Sequence, residues 1–244
     1  MSISVAMATY NGEKYIEEQI ISILNQLSES DELVISDDNS TDFTTAKIAG
    51  FSKIDKRIKL LKGPSKGVVK NFENAINNCK NELIFLSDQD DIWDKNKISI
   101  LSSCFKENNY DLILHNARIL YDDNKKDVEL FFDKRGCRKG IIKNIAKNSY
   151  MGCCMVFKNE MKNYFLPFPK YIPMHDQWIG ILCEKYGHVL FLDTPLIFYR
   201  RHANNASNET PSSIITRLKW RLTLIFCLAY RGLKIEKGNQ KNEK

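Results

Sequence analysis

Three carboxylates lie within four residues of one another, at Asp88, Asp90 and Asp91 in the segment 87–93 (SDQDDIW). Like charges this close repel, so holding them together costs free energy unless something positive is bound there. Carboxylate oxygens are the hard ligands that Mg²⁺ and Mn²⁺ use in proteins, often with substrate phosphates completing the shell. An acidic turn can also be a solvated surface loop. Taken alone, the segment leaves both interpretations open.

Polar turns also follow two earlier apolar runs. Residues 3–12 (ISVAMATYNG) and 32–38 (ELVISDD) each pass from apolar to polar side chains, as residues 83–86 (LIFL) do before the acidic segment. Apolar runs of this length, bounded by turn residues, predict buried strands of a parallel sheet. Ligands of open α/β sheets bind beyond the carboxyl ends of the strands. We therefore expect the three turns to converge on one crevice.

Helices are predicted between these strands. Residues 12–26 carry apolar side chains at three- and four-residue spacing, which makes one apolar helical face, and residues 68–79 and 95–105 repeat the pattern less regularly. Alternation of strand and helix over the first hundred or so residues predicts an α/β fold, with a mostly parallel sheet flanked by helices.

The three turns together resemble the nucleotide-sugar half of family 2 glycosyltransferases, which have the GT-A fold. The resemblance rests on residues 4–12 (SVAMATYNG), 36–42 (SDDNSTD) and 87–93. The form of the third segment, with residues 70–72 (KNF) upstream of it, is similar to that of the rhamnosyltransferase-like branch. It covers about residues 2–115 strongly and 145–205 more loosely. It implies one GT-A domain over residues 1–205, with a nucleotide-sugar half at 1–115 and an acceptor half at 116–205.

The resemblance implies a nucleoside diphosphate sugar as donor, linked to UDP or dTDP, and Mn²⁺ or Mg²⁺ as cofactor. A bound cation would act as a Lewis acid on the diphosphate as it leaves. Asp88 begins the family's Asp-X-Asp motif and is expected to contact both donor and metal, and Asp90 matches its metal-contacting aspartate. His202, after the apolar run 196–199, would complete the metal shell or touch the diphosphate. The alternative for His202 is a surface Arg-Arg-His cluster.

The first two turns would bind the nucleotide. Asp38 matches the residue that accepts the imide N–H of uracil or thymine, whereas Asp37 either contacts the nucleotide or supports the turn. Lys70 is a candidate phosphate contact, with a solvated helix lysine as the equal alternative. The residues expected to border the base and ribose are Ala8, Thr9, Tyr10 and Asn11.

Asp176, in residues 173–180 (PMHDQWIG), matches the family's catalytic base. The inverting mechanism is a single displacement in which one carboxylate takes the proton of the acceptor hydroxyl. The family's usual Glu-Asp pair reads His175-Asp176 here, which leaves the role of the first residue open. The alternative for Asp176 is a negative charge in the first turn of a helix, favoured by the macrodipole.

Composition fits a catalytic domain in a reducing compartment. At 244 residues and 43% hydrophobic content, the chain can bury one sizeable core. The N-terminus enters a predicted strand without the features of a signal peptide. Seven cysteines follow neither metal-ligand nor disulfide spacing, which favours a cytoplasmic location. Residues 121–139 are dense in charge and are predicted to form a long exposed loop beside the acceptor.

The net charge of +6 resides in the last 31 residues. Residues 214–244 hold eight Lys or Arg and two Glu, so the rest of the chain is neutral, which argues against a nucleic-acid partner. Residues 210–244 are predicted to form a basic amphipathic helix and tail, whose apolar centre is shorter than the roughly 20 residues that a spanning helix needs. Its predicted apolar face consists of Ile215, Leu218, Leu222, Ile225, Phe226, Ala229 and Leu233.

Such a helix suits peripheral binding to the inner face of the cell membrane. The alternative is that it docks onto the catalytic domain or onto a second subunit, so a homo-oligomer stays open.

The sequence as a whole predicts a metal-dependent inverting glycosyltransferase. The resemblance implies a lipid-linked saccharide acceptor in the synthesis of a bacterial surface polysaccharide, either O-antigen or capsule. A nucleotide-dependent oxidoreductase is disfavoured because the first turn lacks the G-x-G-x-x-G fingerprint. A non-catalytic sugar-nucleotide-binding module would be favoured if Asp90 or Asp176 were absent, and both are present.

Overall fold

The computed structural model describes residues 1–121, 129–202 and 213–242, and over these ranges the strands join in one nine-stranded sheet. The strands are β1 (Ile3–Thr9), β2 (Glu32–Asp37), β3 (Ile58–Lys62), β4 (Leu83–Ser87), β5 (Ile92–Trp93), β6 (Leu112–Tyr121), β7 (Glu129–Leu130), β8 (Met155–Lys158) and β9 (Val189–Arg201). The helices are α1 (Ile16–Leu24), α2 (Thr44–Ile54), α3 (Val68–Asn78), α4 (Lys97–Glu107), α5 (Phe131–Arg135), α6 (Ile141–Ala146), α7 (Lys162–Phe165), α8 (His175–Tyr186) and α9 (Ile214–Asn242).

The sheet runs in the order β3-β2-β1-β4-β8-β6-β9-β5, and β7 pairs with β6 at one side. Parallel ladders join β3, β2, β1 and β4, as the alternation of strands and helices predicts. Every residue of β1, β2 and β4 is buried, which is why these strands read as continuous apolar runs. The predicted α/β fold with flanking helices is therefore confirmed.

Antiparallel pairing enters the sheet with β8, which lies between β4 and β6. At the far edge β5 pairs antiparallel with β9, so that Ile92 lies opposite Phe198. This pairing matters for the site, because β5 follows the acidic turn directly and β9 leads into His202. The end of β9 is thereby brought beside the acidic turn.

Two regions differ from the sequence expectation. Helix α2 and strand β3 are not predicted by the sequence pattern, and the latter is a short edge strand with only Ile58 fully buried. The predicted long loop at 121–139 contains β7 and α5, and its residues 122–128 lie outside the described residues.

The C-terminal segment forms the predicted helix, α9, although residues 210–212 of the prediction lie outside the described residues. Ser213 Oγ accepts the N–H of Thr216 at 3.1 Å, the hydrogen bond of a helix N-cap. In the part of the chain that the structure describes, no helix has the length and apolar character needed to cross a bilayer.

One face of α9 docks onto the catalytic domain, in line with one of the two alternatives for this helix. Leu224 and Cys227 are buried there, and the guanidinium of Arg231 lies 5.6 Å from the centre of the Trp178 ring. Arg231 also donates to the carbonyls of Leu166, at 2.6 Å, and Pro167, just beyond the C-terminus of α7. By helical spacing, Arg217, Arg221 and Arg231 lie opposite the predicted apolar face, and it is the side occupied by Arg231 that docks.

The predicted apolar face of α9 points away from the domain. Its large exposed side chains are Ile215, Leu218, Leu222, Ile225, Phe226 and Leu233. The helix thus has a docked side and an exposed apolar side.

Candidate active site

Hydrogen bonds join the first and third turns. The carboxamide of Gln89 accepts from the N–H of Tyr10 at 2.9 Å and donates to the carbonyl of the same residue at 3.0 Å. Gly12 makes room for this pairing, because a Cβ at that position would lie 2.4 Å from the amide carbon of Gln89. The side-chain amide of Gln89 therefore pairs with the backbone of Tyr10 as a neighbouring peptide group would, and it joins the ends of β4 and β1.

The first and second turns are joined as well. Asn11, whose φ of 48° lies in the left-handed region, accepts the N–H of Thr41 with its Oδ1 at 2.8 Å. The N–H of Asp38 donates to the carbonyl of Thr9 at 2.9 Å. The predicted convergence of the three turns is therefore confirmed. Ala8 lies buried in β1, whereas the side chain of Tyr10 is exposed.

The two aspartates of the second turn have different surroundings. Asp37 is buried and accepts from the N–H of Ser40 at 2.8 Å and from the hydroxyls of Ser40 and Thr9 at 2.6 and 2.9 Å. Asp38 is partly exposed and accepts the N–H of Gly67 at 2.8 Å, which fixes the loop before α3. Each carboxylate oxygen can accept a second hydrogen bond, so Asp38 retains acceptor capacity for a ligand.

Lys70 lies on α3 with its ammonium bound to the carboxylate of Glu73 and, at 2.9 Å, to the carbonyl of Phe168. Glu73 lies on α3 as well and accepts the N–H of Phe168 at 2.7 Å, so both residues connect α3 to the segment after α7. The ammonium has three N–H donors, so these two partners do not prevent Lys70 from contacting a phosphate, and that role stays a prediction.

In the acidic turn, Asp90 pairs with His202, the two residues that the sequence analysis assigns to one metal shell. Oδ2 of Asp90 lies 2.9 Å from Nε2 of His202 at the end of β9. Asp91 is buried; its Oδ1 accepts the N–H of Arg200 at 3.1 Å, and its buried Oδ2 has no hydrogen-bond partner among the described residues. The pairing of β5 with β9 is what brings these groups together.

Crowding and burial perturb the carboxyl groups of this turn. Desolvation raises the pKa of Asp88 to about 7, and the neighbouring charges of Asp90 and Asp176 act in the same direction. Burial also raises the pKa of Asp90, against the opposing effect of His202. The charge of the predicted base, Asp176, thus acts on the acidic turn.

The acidic turn suits a hard divalent cation. Ligand atoms of Asp88, Asp91 and Cys153 all lie within 4.8 Å of one another, and the buried, unpartnered oxygen of Asp91 is available to a cation or to its bound water. Burial raises the pKa of the Cys153 thiol well above its usual range. A protonated thiol is a poor ligand, so the carboxylates carry the metal-binding capacity.

Asp176 lies in the first turn of α8, where its Oδ1 accepts the N–H of Gln177 at 2.6 Å and the carboxamide N–H of Asn148 at 3.3 Å. Burial raises its pKa to about 6, a value at which a carboxylate can act as a base near neutral pH.

The neighbouring His175 is partly buried, and its ring packs against α3. Its ring stacks on Phe72 at 4.1 Å between centroids, and a Cβ on Gly152 would lie 2.9 Å from its Nε2. Burial lowers the pKa of His175 to about 3, so its ring is neutral. At the position where the family's usual Glu-Asp pair has glutamate, this chain has the neutral ring of His175. The ring lies so close to Gly152 that a side chain there would collide with it.

Comparison with known proteins decides the family. The family model for Glycosyl transferase family 2 matches residues 4–165. The chain belongs to glycosyl transferase family 2.

The chain of this glycosyltransferase is 31% identical over 223 residues to the dTDP-rhamnosyl transferase RfbG of Shigella flexneri, covering 82% of this chain and 72% of that protein. It is 31% identical over 186 residues to the UDP-Glc:alpha-D-GlcNAc-diphosphoundecaprenol beta-1,3-glucosyltransferase WfgD of Escherichia coli, covering 75% of this chain and 70% of the relative.

Solved structures share the GT-A fold. TarS 1–349 from S. aureus, in complex with UDP-GlcNAc, superposes with a TM-score of 0.72 at 18% identity, over 95% of this chain and 69% of TarS 1–349. The mannosyltransferase PcManGT of Pyrobaculum calidifontis, in complex with GDP-Man and Mn²⁺, has a TM-score of 0.61 at 14% identity, over 98% and 75% of the two chains.

Sequence reasoning missed the position of Tyr15 beside His202 in this glycosyltransferase. Tyr15 stacks on the ring of His202 at 4.7 Å and lies 4.9 Å from the guanidinium carbon of Arg200, whose Nε donates to the carbonyl of Asp90 at 3.0 Å. The sequence pattern assigns Tyr15 only to the apolar face of a helix. Its contact with a residue 187 positions later is visible only in the fold.

Proposed function

We propose that this glycosyltransferase transfers a sugar from a UDP- or dTDP-linked donor to a lipid-linked saccharide, with inversion at the anomeric carbon, in bacterial surface-polysaccharide synthesis (O-antigen or capsule). The observation that carries the proposal is the Asp90–His202 pair in the acidic turn. We assign this pair to the donor side of the site and Asp176, whose charge acts on Asp88, to the acceptor side.

The donor would bind across the three joined turns. Thr9, Tyr10 and Asn11 border the position of the base and ribose, and the free acceptor capacity of Asp38 suits the imide N–H of uracil or thymine. Asp37 contributes indirectly, because its hydrogen bonds to Ser40 and Thr9 hold the turn. The names of the relatives, a dTDP-rhamnosyl transferase and a UDP-Glc transferase, support this donor class.

Asp88, Asp90 and His202 would hold Mn²⁺ or Mg²⁺ together with the donor diphosphate. When bound, the cation supplies Lewis-acid stabilisation of the charge that develops on the leaving diphosphate. Arg200 supports this arrangement from the side, since its N–H groups hold both the carboxylate of Asp91 and the carbonyl of Asp90.

Asp176 would take the proton of the acceptor hydroxyl as that oxygen attacks the anomeric carbon. The bond between the sugar and the nucleoside diphosphate breaks in the same step, and the diphosphate leaves with the electron pair. Asn148 and the N–H of Gln177 orient the Asp176 carboxylate while it waits for the acceptor. Neutral His175 leaves Asp176 as the base of this pair.

A lipid-linked acceptor is consistent with the exposed apolar side of α9, called its outer face below. Its exposed apolar side chains suit the surface of an anionic membrane, where flanking basic residues add attraction, and the acceptor named for WfgD is a diphosphoundecaprenol lipid. We place the enzyme on the cytoplasmic face of the cell membrane, where nucleotide sugars are made.

Donor hydrolysis and transfer in the presence and absence of metal test the proposal. The purified protein is incubated with a panel of nucleotide sugars; release of UDP or dTDP is expected with Mn²⁺ or Mg²⁺ and is expected to stop in excess chelator. Asp90→Asn should weaken metal affinity by more than the roughly 10–100-fold typical of losing an outer-shell partner. Glu29→Gln, an exposed change before β2, is the control. Full turnover in excess chelator would rule out the metal assignment.

A further inference from the structure

Residues 134–147 form a strongly basic segment that ends beside the proposed base. The segment contains six Lys or Arg residues and no acidic residue, although residues 1–213 as a whole are neutral. The side chains of all six are exposed: Lys134, Arg135, Arg138, Lys139, Lys143 and Lys147. The catalytic body is thus neutral in sum but carries one basic surface, called the α5–α6 surface below.

Three charges of the α5–α6 surface are not neutralised by a carboxylate. Lys134 is paired with Glu129 at 2.7 Å. Over the ranges that the structure describes, Arg138, Lys139 and Lys143 form no ion pair. Clustered cations of this kind create a positive potential that attracts anions.

Hydrogen bonds fix the backbone that carries these charges. The carboxamide of buried Asn144 donates to the carbonyls of Arg138 and Gly140, both at 3.1 Å, and accepts the N–H of Ser149 at 2.9 Å. The hydroxyl of Ser149 in turn accepts the N–H of Arg138 at 3.2 Å. The surface is therefore held in one arrangement, which reduces the cost of ordering it when a partner binds.

The α5–α6 surface borders the outer face of α9. The guanidinium of Arg221 on α9 donates to the carbonyl of Ala146 at the end of α6. Arg221 lies one helical turn from Leu218 and from Ile225, whose side chains are exposed on the outer face. The basic segment and the exposed apolar side of α9 thus meet at this contact.

An exposed isoleucine lies within the basic segment. Ile142 is 83% exposed and lies one turn before Ala146 on the same face of α6. Apolar side chains flanked by basic ones are typical of segments that lie at a membrane interface, where the cations bind anionic headgroups and the apolar group enters the lipid. A nucleic-acid backbone or a soluble phosphate would supply the anion but no apolar surroundings for Ile142.

We propose that the α5–α6 surface binds anionic lipid headgroups and forms one membrane-binding surface with the outer face of α9. A helix held only along its apolar face can roll about its axis, and a second contact beside it prevents the roll. Arg135 donates to the carbonyl of Asn148, whose carboxamide contacts Asp176, so the second contact turns the acceptor side toward the lipid. That orientation rests on the proposed function, whereas the lipid contact does not.

Arg138→Gln/Lys139→Gln/Lys143→Gln tests the contact by removing the three charges. Its partition coefficient on vesicles of mixed phosphatidylcholine and phosphatidylglycerol should be roughly 100-fold lower than that of the wild type, about five-fold for each charge. On vesicles of phosphatidylcholine alone the two proteins should bind equally. Donor hydrolysis in solution should match that of the wild type, so a failure of the proposed function would be seen separately, as a wild type without this activity.

Lys53→Gln/Lys56→Gln/Lys80→Gln is the matched control, because it removes the same charge from exposed lysines around the end of α2 and before β4. It should keep the partition coefficient close to that of the wild type. Equal losses in the two triple variants would attribute binding to net charge, and a wild-type partition coefficient in the Arg138→Gln/Lys139→Gln/Lys143→Gln variant would confine it to α9. Either result would overturn the proposal, as would a wild type that ignores the anionic vesicles at low salt.

Ile142→Gln tests the apolar part of the contact. Because the side chain is exposed in the free protein, the melting temperature should not change, but the partition coefficient on the anionic vesicles should fall by roughly 10-fold. Ile54→Gln, a change at a side chain that is 88% exposed at the end of α2, should leave it unchanged. Equal partition of Ile142→Gln and the wild type would exclude α6 from the lipid and overturn the single surface proposed here.

Discussion

Asp176 is held by two donors that differ in origin. The N–H of Gln177 belongs to the same helix, whereas the carboxamide of Asn148 comes from the segment between α6 and β8. The donor of Gln177 is a backbone N–H, which any residue except proline would supply at this position. The donor of Asn148 is specific to its side chain, whose carboxamide oxygen in turn accepts the N–H of Tyr150 at 2.9 Å. The orientation of the proposed base is therefore set by a side chain that is itself locked.

Replacing Asp176 with asparagine should lower kcat by roughly 10²–10⁴-fold, the usual contribution of a general base. The shape and hydrogen-bonding capacity of the side chain are kept, and the residue faces the acceptor, so donor affinity should change little. Transfer kinetics and calorimetric titration with UDP or dTDP measure the two quantities. Near-normal turnover would place the base elsewhere.

The raised pKa of Asp176 predicts the acidic limb of the pH profile. A base works when deprotonated, so kcat/KM should rise with pH through about 6. The hydrogen bond from Asn148 lowers this pKa by stabilising the charged form. Removing it in Asn148→Ala should raise the pKa and shift the limb to higher pH.

The matched control is Asn78→Ala, because Asn78 also donates its carboxamide to a neighbour, the carbonyl of Asn74, but does so on the exposed side of α3. Its pH profile should match that of the wild type. A limb in Asn148→Ala that stays in place, or moves to lower pH, would contradict the assignment of Asn148.

At the level of elements, the proposed donor site consists of three turns that are joined to one another by hydrogen bonds. Gln89 connects the end of β4 to the end of β1, and Asn11 connects the end of β1 to the turn after β2. Each link is made by a side-chain amide that pairs with backbone. The turns therefore gain rigidity without additional secondary structure, which reduces the cost of ordering them when a ligand binds.

Gly12→Ala tests this coupling. The new Cβ would overlap the Gln89 amide, which must give up both hydrogen bonds to Tyr10. Two such bonds contribute about 1 kcal/mol each, so the affinity for UDP or dTDP should fall by up to roughly 30-fold. Nucleotide titration measures the change.

Gly50→Ala is the control, because Gly50 lies in α2, a Cβ added there would meet no atom within 4 Å, and alanine favours a helix. It should leave nucleotide affinity unchanged and should not destabilise the protein. Equal affinities for the Gly12→Ala variant and the wild type would mean that the turns bind nucleotide independently.

Sequence reasoning reached the parts of the site that lie at strand ends. Asp37, Asp38 and Asp88 follow apolar runs directly, so a parallel sheet was enough to bring them to one edge. Asn148 could not be found this way, because its role depends on a contact with Asp176, 28 residues later in the chain.

At the scale of the whole molecule, one side of α9 packs against the domain and the other exposes apolar side chains. The sequence pattern identified its apolar face correctly as a continuous stripe, but it could not tell that the opposite side would dock, since Arg231 reads as a surface charge. Arg231 instead donates to two carbonyls beyond α7 and covers Trp178. Deleting α9 would therefore expose part of the core, and membrane binding is better tested by changes confined to the outer face.

Ile225→Gln/Phe226→Gln should abolish sedimentation with anionic liposomes. Both side chains are exposed on α9, so the fold and nucleotide affinity should be unaffected. The wild type should sediment at low salt and less at high salt, because basic residues near an anionic surface contribute about 1 kcal/mol each and salt screens them.

Ile54→Gln is the control, because Ile54 is 88% exposed at the end of α2, on another part of the surface. It should leave sedimentation unchanged. If the wild type ignores such liposomes at low salt and instead forms dimers that the double substitution dissociates, the outer face of α9 binds a second subunit.

The attachment of α9 to the domain has a geometric consequence for the choice of acceptor. Arg231 and Arg221, which donates to the carbonyl of Ala146, tie the helix to the same part of the molecule that carries Asn148 and Asp176. If the helix lies in the membrane surface, as we propose, the reacting centre would sit at a constant height above the lipid headgroups. A lipid-linked acceptor would then have to present its hydroxyl at that height, so the number of sugars between lipid and hydroxyl would become a criterion of selection. The enzyme would measure the length of the growing chain as well as recognise its last sugar.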